Sequence, residues 1–367
     1  METKIKFIII AISVFLSGCR AEGNVFDLQI NEGDTVYIDR HLYLNEKELV
    51  LPNNVTLVFE KGGRFSNGII RGQNTQIEGY KESIFEHVLI SGIWNVKYID
   101  SSMFIDKANS LQSIIAMTSP VVDNVVVIGE GDYVVSATLE KEHILSIPSN
   151  TEVIINGSIR LKPNQLSRCD IFYLKGENIS IHGKGLIEGD KHNHLGKEGE
   201  WGMGIRFDGC DSGKVFDITI KDCWGDCIYI GGKSSNIEIN NCTLDNGRRQ
   251  GISVTSAKKV LIKNCVISNV YGTLPEYAID IEPNSSDTIE DVRIENVHSI
   301  NCHGGILAWG DAKKSWIRNI VLTDCYVEGT KRALPYYFKT VDTVYMKNCH
   351  SDKKVKPRIV RCKEFHY

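Results

Sequence analysis

One short phrase of sequence recurs along the second half of the chain. Alternating apolar residues lead to Asn or Asp, which Cys follows in most copies. The Asn or Asp positions are 19, 23, 32, 28 and 24 residues apart in copies at 218–223, 237–242, 261–265, 294–297, 321–325 and 344–349. A unit of this length cannot bury its own apolar face, so the repeat predicts a stacked solenoid. Its period-two alternation and its turn residues predict strands, and hence an all-β, right-handed parallel β-helix.

The cysteines of this phrase are predicted to be buried thiols. Five of them are expected to occupy one position of the repeat: Cys223, Cys242, Cys265, Cys325 and Cys349. Neighbouring strands of a parallel stack are about 4.8 Å apart and their side chains point the same way, which is poor geometry for a disulfide. We therefore expect small apolar packing groups, and only Cys349 with Cys362 is considered as a disulfide. The chain has no Cys-x-x-Cys pairs, so a zinc site is not predicted.

The N-terminus has the pattern of an export signal. Two lysines precede the apolar run of residues 7–16, which is short for a membrane span but fits the core of a signal peptide. Residues 16–19, Leu-Ser-Gly-Cys, resemble the lipobox of bacterial lipoproteins. The resemblance implies a signal peptide over 1–19 and a lipid on Cys19, and Arg20 after it suggests the outer membrane. An ordinary secretory signal is the alternative.

The rest of the chain divides into three predicted parts. Residues 20–107 have strand and turn signals of their own and are expected to form an N-terminal β-rich capping module. The β-helix is predicted over 108–350, beginning with a short helix over 108–118. Residues 351–367 lack the repeat and are expected to be a cap or tail. Within the β-helix, the polar stretch 191–201 leaves the repeat and is expected to wall a groove.

Four stretches align as consecutive strands of one face: 226–230, 250–254, 277–282 and 304–309. Their isoleucines alternate with polar residues, so the isoleucines are expected to point inward and the polar residues outward. Acids, bases, phenols and guanidinium groups therefore gather on one exposed face, where an extended polymer can lie. The candidate site residues are Arg206, Trp224, Asp226, Tyr229, Arg248, Arg249, Gln250, Tyr277, Asp280, Glu282, His303 and Trp309.

Two stretches of this face resemble the polygalacturonases. Residues 224–230, Trp-Gly-Asp-Cys-Ile-Tyr-Ile, are similar to that family's Gly-Asp-Asp-Cys-Ile-Ala-Ile, and residues 249–254, Arg-Gln-Gly-Ile-Ser-Val, to its Gly-His-Gly-Ile-Ser-Ile. The order of short helix, Gly-rich strand and Gly-x-Gly-x-Ile-x-Gly over 183–189 resembles the wider pectin-lyase-like superfamily. The resemblance covers 108–350, and it implies the β-helix fold and an active-site carboxylate at Asp226.

The chain departs from the polygalacturonase pattern at three places. Gly225 stands where the family has the first Asp, and Gln250 stands where it has His. Residues 203–206 have no carboxylate where the family has Asn-Thr-Asp. These departures argue against polygalacturonase activity as such.

The arginines favour β-elimination on a uronic acid. In that reaction cations neutralise the substrate carboxylate while a base removes the proton at C5. The groups available for charge neutralisation are Arg206, Arg248 and Arg249, and those available as acid or base are Tyr277, His303 or one of the arginines.

The carboxylates support a second mechanism, hydrolysis by an inverting pair. Asp226 and Asp280 are expected two coils apart, about 9–10 Å along the axis, against roughly 6.5–9.5 Å for an inverting pair. With Glu282 they also offer hard oxygen ligands, and some relatives use calcium, so a calcium ion is possible here. A non-catalytic glycan-binding surface lipoprotein is a third alternative.

Net charge limits the class of partner. A net charge of −4 and a pI near 6.2 argue against a general binder of nucleic acid or anionic membranes. We predict a lipid-anchored polysaccharide lyase acting on an anionic, uronate-containing glycan, with a glycoside hydrolase as the alternative.

Overall fold

The computed structural model describes residues 23–24, 28–80, 83–107, 110–139, 142–311, 316–353 and 355–367. The chain separates into two compact units, one up to Gly129 and one from Glu130. Residues 1–19, with Cys19, lie outside the described residues, so the signal peptide and lipid anchor remain predictions. Within the described ranges, no helix is long and apolar enough to span a membrane.

The first unit is built on one long strand. That strand pairs in parallel with three shorter strands of preceding sequence and with the strand that follows it. Phe65, Phe85 and Trp94 are fully buried in its core. The strands are β1 (Gly23–Asn24), β2 (Thr35–Ile38), β3 (His41–Tyr43), β4 (Glu48–Val50), β5 (Thr56–Phe59), the long β6 (Arg64–Glu78), β7 (Phe85–Trp94), β8 (Tyr98–Asp100) and β9 (Asn124–Ile128).

One α-helix, α1 (Leu111–Ala116), lies in this unit and confirms the helix predicted over 108–118. It buries Leu111, Ile114 and Ile115, which are spaced as one helical face. A single 3-10 turn, Ser101–Met103, follows β8.

The second unit is a parallel β-helix in which each coil contributes up to three strands. The first strand of each coil carries the candidate site residues and is called a face strand; the second and third are called middle and outer strands. The face strands are β11 (His143–Ile147), the first part of β14 (Asp170–His182) and of β16 (Ile205–Phe216), β18 (Ile228–Gly231), β21 (Ile252–Val254), β24 (Tyr277–Ile281), β27 (Gly304–Trp309), β30 (Tyr336–Lys339) and β33 (Arg358–Val360).

The middle strands include the second parts of β14 and β16. They are completed by β12 (Thr151–Ile155), β19 (Ser234–Asn240), β22 (Ala257–Lys263), β25 (Thr288–Glu295), β28 (Trp316–Thr323), β31 (Thr343–Lys347) and β34 (Glu364–His366). The outer strands are β10 (Asp132–Val135), β13 (Ser158–Leu161), β15 (Leu186–Glu188), β17 (Thr219–Lys221), β20 (Thr243–Asp245), β23 (Val266–Ser268), β26 (His298–Ile300), β29 (Tyr326–Glu328) and β32 (His350–Ser351).

The predicted inward columns are confirmed. Ile228, Ile252, Ile279 and Ile306 are register partners on successive face strands, and each is almost completely buried. Because the pairing is parallel and in register, equivalent residues stack at about one strand spacing of 4.8 Å. The all-β, right-handed parallel β-helix predicted from the repeat is the observed fold.

The Asn and Asp residues of the repeat form a ladder at the corner between middle and outer strands. Asn241, Asn264, Asn296 and Asn348 adopt left-handed φ values of 51° to 54°, which Asn tolerates better than most residues. Their amides link neighbouring coils: Asn296 Nδ2 donates to Asn264 Oδ1 at 2.9 Å. The corner therefore selects Asn for its backbone and for its side chain at once.

The sequence analysis assigned one copy of the repeat, residues 218–223, to the wrong corner of the coil. Asp222 and Cys223 follow β17, an outer strand, and Asn246 of the next coil donates to Asp222 there. The counterpart of Asn241 is Asp217, whose Oδ1 accepts from Asn241 Nδ2 at 2.6 Å. Both corners need a left-handed residue, so their sequences look alike. This explains the short gap of 19 residues, and the prediction that Cys223 shares one column with the other four cysteines is wrong.

The cysteines of the described chain, from Cys169 onward, are free thiols, including Cys349 and Cys362. Most are fully buried, and burial raises the pKa of the Cys210 thiol to about 12. They therefore pack as small apolar groups, as predicted.

Replacing Asn264 tests the ladder. Asn264→Ala forces a Cβ-bearing residue without a side-chain amide into the left-handed region, so we expect the free energy of unfolding to fall by about 2 kcal/mol. Asn264→Gly relieves the backbone strain and loses only the amide contacts. Its free energy of unfolding should therefore fall by about 1 kcal/mol less than that of Asn264→Ala. Urea denaturation followed by circular dichroism measures both, and equal losses would contradict a backbone role for this position.

Candidate functional site

The Asp226 carboxyl group lies at the start of a face strand and is fully buried. Its Oδ2 accepts a hydrogen bond from the Ser253 hydroxyl at 2.7 Å and one from Nη1 of Arg249 at 3.3 Å. Its Oδ1 has no hydrogen-bond partner among the described residues. Burial raises the pKa of Asp226 to about 6, although Arg249 and Ser253 oppose the shift. A carboxylate poised in this way can act as a base near neutral pH.

The Asp280 carboxyl group lies in the middle of β24 and is 2% exposed. Gln250 Nε2 donates to its Oδ2 at 2.9 Å, and Gln250 Oε1 accepts from the backbone N–H of Tyr277 at 2.7 Å. Burial, followed by the charge of Glu282, raises the pKa of Asp280 well above its ordinary value. This shift favours the protonated form of Asp280, which can donate a proton.

Glu282 follows Asp280 on the same face of the sheet and is half-buried. Burial raises its pKa, while the charges of Arg249 and Lys339 oppose the shift. On the following coils, Trp309 is 37% exposed and the Lys339 ammonium lies 3.7 Å from its ring centre. This end of the face thus combines a carboxyl group with an exposed aromatic ring.

Arg249 lies between two carboxyl groups, those of Glu200 and Asp226. Its Nε is 3.6 Å from Oε2 of Glu200, and its Nη1 reaches Asp226. Burial alone would lower the pKa of Arg249, but the charges of Asp226, Asp280 and Glu200 outweigh this effect and raise it. Arg249 therefore stays charged and is already paired on both sides.

Glu200 belongs to the polar stretch 191–201, which was predicted to wall a groove. Arg248 and Trp224 hold this stretch in place. Arg248 Nη1 donates to the carbonyl of Gly199 at 2.7 Å, and the Arg248 guanidinium lies 3.7 Å from the Trp224 ring centre. His194 also stacks on Trp224, with ring centres 3.8 Å apart. Arg248 and Trp224 thus brace this loop, a role that the substrate-binding prediction did not anticipate.

A second polar cluster lies on the same face, on earlier coils. The Arg206 guanidinium is 4.2 Å from the ring centre of Tyr229, and its Nε is 3.9 Å from Oδ2 of the buried Asp170. His143 Nδ1 is 2.8 Å from the same carboxylate oxygen. Within the described chain, Nε and Nη1 of Arg206 have no hydrogen-bond partner.

Asp170 and His143 were missed by the sequence reasoning, but Asp170 had a detectable signal. Residues 170–174 read Asp-Ile-Phe-Tyr-Leu and 226–230 read Asp-Cys-Ile-Tyr-Ile. The register pairs Phe172 with Ile205 and Ile205 with Ile228, so Asp170 and Asp226 stand at equivalent positions two coils apart. Aligning these two phrases would have identified Asp170.

Tyr277 and His303 occupy different surroundings. Tyr277 begins β24 and is 6% exposed, and its ring fills the space that a Cβ on Gly304 would need. His303 Nδ1 is 2.5 Å from Oε2 of Glu276, and none of its described hydrogen bonds or ion pairs reaches Asp226 or Asp280. His303 is therefore paired with the equivalent turn of the preceding coil.

The predicted convergence on three successive coils is present. β18, β21 and β24 pair consecutively. Five of the six residues expected together lie on these strands or in the turns before them, and the sixth, Glu282, directly follows β24. The other five are Asp226, Arg249, Gln250, Tyr277 and Asp280. In the part of the chain that the structure describes, no group of three or more His, Cys, Asp or Glu side chains has the arrangement of a metal site. Asp226, Asp280 and Glu282, offered for calcium, are thus not gathered as a preformed ligand set.

Comparison with known proteins agrees with this architecture. Residues 124–275 match the family model described as "Right handed beta helix region". The chain is a right-handed parallel β-helix protein. The β-helix fold that the sequence resemblance implied is thereby confirmed.

Among curated proteins, the chain is 29% identical over 202 residues to the uncharacterized protein YclG of Bacillus subtilis (strain 168), an alignment covering 47% of this chain and 35% of YclG. The chain spans about a third of the length of the curated relatives it matches. Among solved structures, the exopolygalacturonase of Thermotoga maritima is 16% identical with a TM-score of 0.47, covering 65% of this chain and 70% of that one. The polygalacturonase of Erwinia carotovora is 11% identical with a TM-score of 0.47, covering 72% and 96%.

His194 offers a test of the bracing of the loop. His194→Ala removes the ring stacked on Trp224 and leaves the buried Asp190 without the partner that lies 2.8 Å away. Loss of a hydrogen bond to a buried charge costs about 1.5–3 kcal/mol, so we expect amide exchange of Leu195 and Trp201 to rise at least tenfold. Hydrogen exchange with mass spectrometry measures this, with the partly exposed His298→Ala as control. Unchanged exchange in His194→Ala would show that the stack does not hold the loop.

Proposed function

We propose that the protein is a carbohydrate-active enzyme that hydrolyses a glycosidic bond in a glycan lying along the face strands. One observation carries the proposal: two buried carboxyl groups on one face, Asp226 and Asp280, have surroundings that separate their protonation states. Such a pair can supply the general acid and the general base that cleavage of a glycosidic bond requires.

The two carboxyl groups have distinct roles in this scheme. Asp280, whose raised pKa favours the protonated form, gives its proton to the leaving oxygen, while the ionised Asp226 takes a proton from the attacking water. They belong to coils that are two apart, about 9–10 Å along the axis, and Asp280 shares its column with Ser253 and Tyr229 and not with Asp226. Inverting enzymes separate their carboxyl groups by roughly 6.5–9.5 Å to leave room for that water. The proposal is therefore hydrolysis with inversion.

Neighbouring side chains support these roles. Arg249 and Ser253 donate to Asp226 and favour its ionised form. Gln250 is fixed by the Tyr277 backbone and orients Asp280. Each carboxyl group also keeps one buried oxygen without a partner among the described residues, which a substrate hydroxyl or a water can satisfy.

β-Elimination is the second candidate, and Arg206 favours it. Elimination needs a cation free to neutralise a substrate carboxylate. Arg249 is engaged by Asp226 and Glu200, whereas Arg206 has one ion pair, at 3.9 Å to Asp170, and its Nη1 has no hydrogen-bond partner in the described chain. A lyase would therefore place its uronate near Arg206, some coils away from Asp280.

The anchor is part of the proposal. Residues 16–19 and the apolar run before them support export and a lipid on Cys19. Such a protein would act at the outer membrane on glycans outside the cytoplasm.

Reducing-end and ultraviolet assays on a panel of polysaccharides separate the mechanisms. We expect new reducing ends without an unsaturated product, and Asp226→Asn and Asp280→Asn should each lower kcat about 10²- to 10⁴-fold. Glu238→Gln, on a middle strand, is the matched control and should keep full activity. An ultraviolet-absorbing product lost in Arg206→Ala would instead establish the lyase. If the protein is retained on a glycan without cleaving it, the glycan-binding alternative would be favoured instead.

The pH dependence of kcat/KM should be bell-shaped. Activity needs ionised Asp226, so it should fall as the pH drops through about 6, and it needs protonated Asp280, so it should also fall at high pH. Arg249→Gln removes a charge that favours the ionised form, which raises the pKa of Asp226. We therefore expect the acidic limb to move up by about one pH unit. Arg318→Gln, on a middle strand, is the control, and an unmoved limb in Arg249→Gln would exclude Asp226 as the base.

A further inference from the structure

The face that carries the candidate site continues over the three coils that follow Asp280, on β27, β30 and β33. We infer that this continuation binds a uronic acid unit of the glycan through its carboxylate. Its residues are Trp309, Tyr337, Lys339 and Arg358, and together they are called the platform. The inference rests on the proposed function in one respect, because it takes the glycan to lie along the face strands.

Strand register connects the platform with the candidate site. The outward column of Asp280 continues to Tyr337 and then to Arg358. In the adjacent outward column, two residues further along each strand, Trp309 pairs with Lys339. Tyr337 is two coils from Asp280, or about 10 Å along the axis. An extended polymer that passes Asp280 along these columns therefore reaches the platform.

Each cation of the platform lies over an aromatic ring of the preceding coil. The Lys339 ammonium is 3.7 Å from the ring centre of Trp309, and the Arg358 guanidinium is 5.1 Å from that of Tyr337. The two rings meet edge to face, with their centres 5.7 Å apart, so the four side chains form one cluster. An aromatic ring holds a cation through its quadrupole and has no net charge. Both cations therefore keep their charge for a ligand.

Ion pairs do not compensate these two charges. Across the residues that the structure describes, the side chains of Lys339 and Arg358 form no ion pair and no hydrogen bond. Lys339 opposes the rise that burial causes in the pKa of Glu282, but no ion pair between the two is found in that part of the chain. Lys339 is half-buried and Arg358 is exposed, so both can be reached from solvent. Positive charge is thus available here to an acidic ligand.

A uronic acid complements both kinds of side chain in the platform. Its carboxylate accepts hydrogen bonds from the ammonium of Lys339 and from the guanidinium of Arg358, whose fork of N–H groups matches two carboxylate oxygens. The carbon-bound hydrogens of its ring give an apolar surface that packs on Trp309, which is 37% exposed. A neutral sugar would gain only the second contact, so the carboxylate should decide the affinity.

Arg358 was not recognised in the sequence because residues 351–367 lack the repeat. In the structure its strand, β33, pairs in parallel with β30 and brings Arg358 beside Tyr337. The uronate glycan predicted from the sequence is retained by this inference, but its carboxylate is assigned to cations outside the group of Arg206, Arg248 and Arg249.

Matched polymers that differ only in the carboxylate test the inference. Polygalacturonate, alginate and a glucuronan are each compared with their own carboxyl-reduced form, in which a CH2OH group replaces the carboxylate. Affinity electrophoresis of the full-length protein at pH 7 and low ionic strength gives an apparent Kd for each polymer. We expect the native member of at least one pair to bind at least about tenfold more tightly than its reduced form.

The double variant Lys339→Gln/Arg358→Gln removes both charges of the platform. Its preference for the native polymer should shrink at least about threefold, whereas the charge-preserving Lys339→Arg should keep it. The control Arg318→Gln/Lys347→Gln loses the same charge from middle strands β28 and β31 and should behave like the unaltered protein.

Four outcomes would overturn the inference. They are equal binding of native and reduced polymers, an unchanged preference in the platform variant, an equal loss in the control variant, and no retention by any polymer. Tighter binding to dextran sulfate than to dextran, without preference for a native uronate polymer, would also overturn it, because it indicates attraction to any polyanion.

The same measurements separate this inference from the proposed hydrolysis, because retention does not require bond cleavage. A protein that shows the expected preference but forms no reducing ends would overturn only the hydrolysis. A protein that forms reducing ends but binds native and reduced polymers equally would overturn only the uronate platform.

Discussion

Parallel pairing of one coil on the next is the interaction on which the rest of the structure depends. It places equivalent residues in columns at a spacing of about 4.8 Å, whatever their side chains. The columns of Ile228 and its register partners fill the interior, while the intervening positions must face outward. Polar residues that are 20 to 30 positions apart in sequence are thus brought within reach of one another. The candidate site is a consequence of the stacking.

Stacking also determines the electrostatics of the face. A carboxyl group in a column is flanked by side chains of the coils on either side, so it loses water without leaving the surface layer. Asp226 and Asp280 are both buried in this manner, yet one is held by Arg249 and Ser253 and the other by the neutral amide of Gln250. Burial raises the pKa of both groups, but Arg249 and Ser253 oppose the shift at Asp226, whereas the charge of Glu282 adds to it at Asp280. In the proposed mechanism, two chemically identical side chains therefore have opposite roles.

The repeat predicted the fold because alternation and turn chemistry are local properties. The inward isoleucines and the three-coil convergence of Asp226, Arg249 and Asp280 follow from the pleat alone. Cys223 was misplaced because both corners of the coil select a left-handed Asn or Asp, and sequence does not distinguish the two corners. The ion-pair partners of the arginines could not be predicted either. Glu200 lies in a loop outside the repeat, and no periodicity predicts where such a loop folds back.

The partners of the arginines determine how much of their charge a ligand can meet. Counted in the sequence, Arg206, Arg248 and Arg249 look like a cationic patch awaiting an anionic substrate. In the structure Arg249 lies between two carboxylates. Arg248 packs on the Trp224 ring and donates a hydrogen bond to the carbonyl of Gly199. A charged side chain recognises a ligand only with the part of its field that its neighbours have not already compensated.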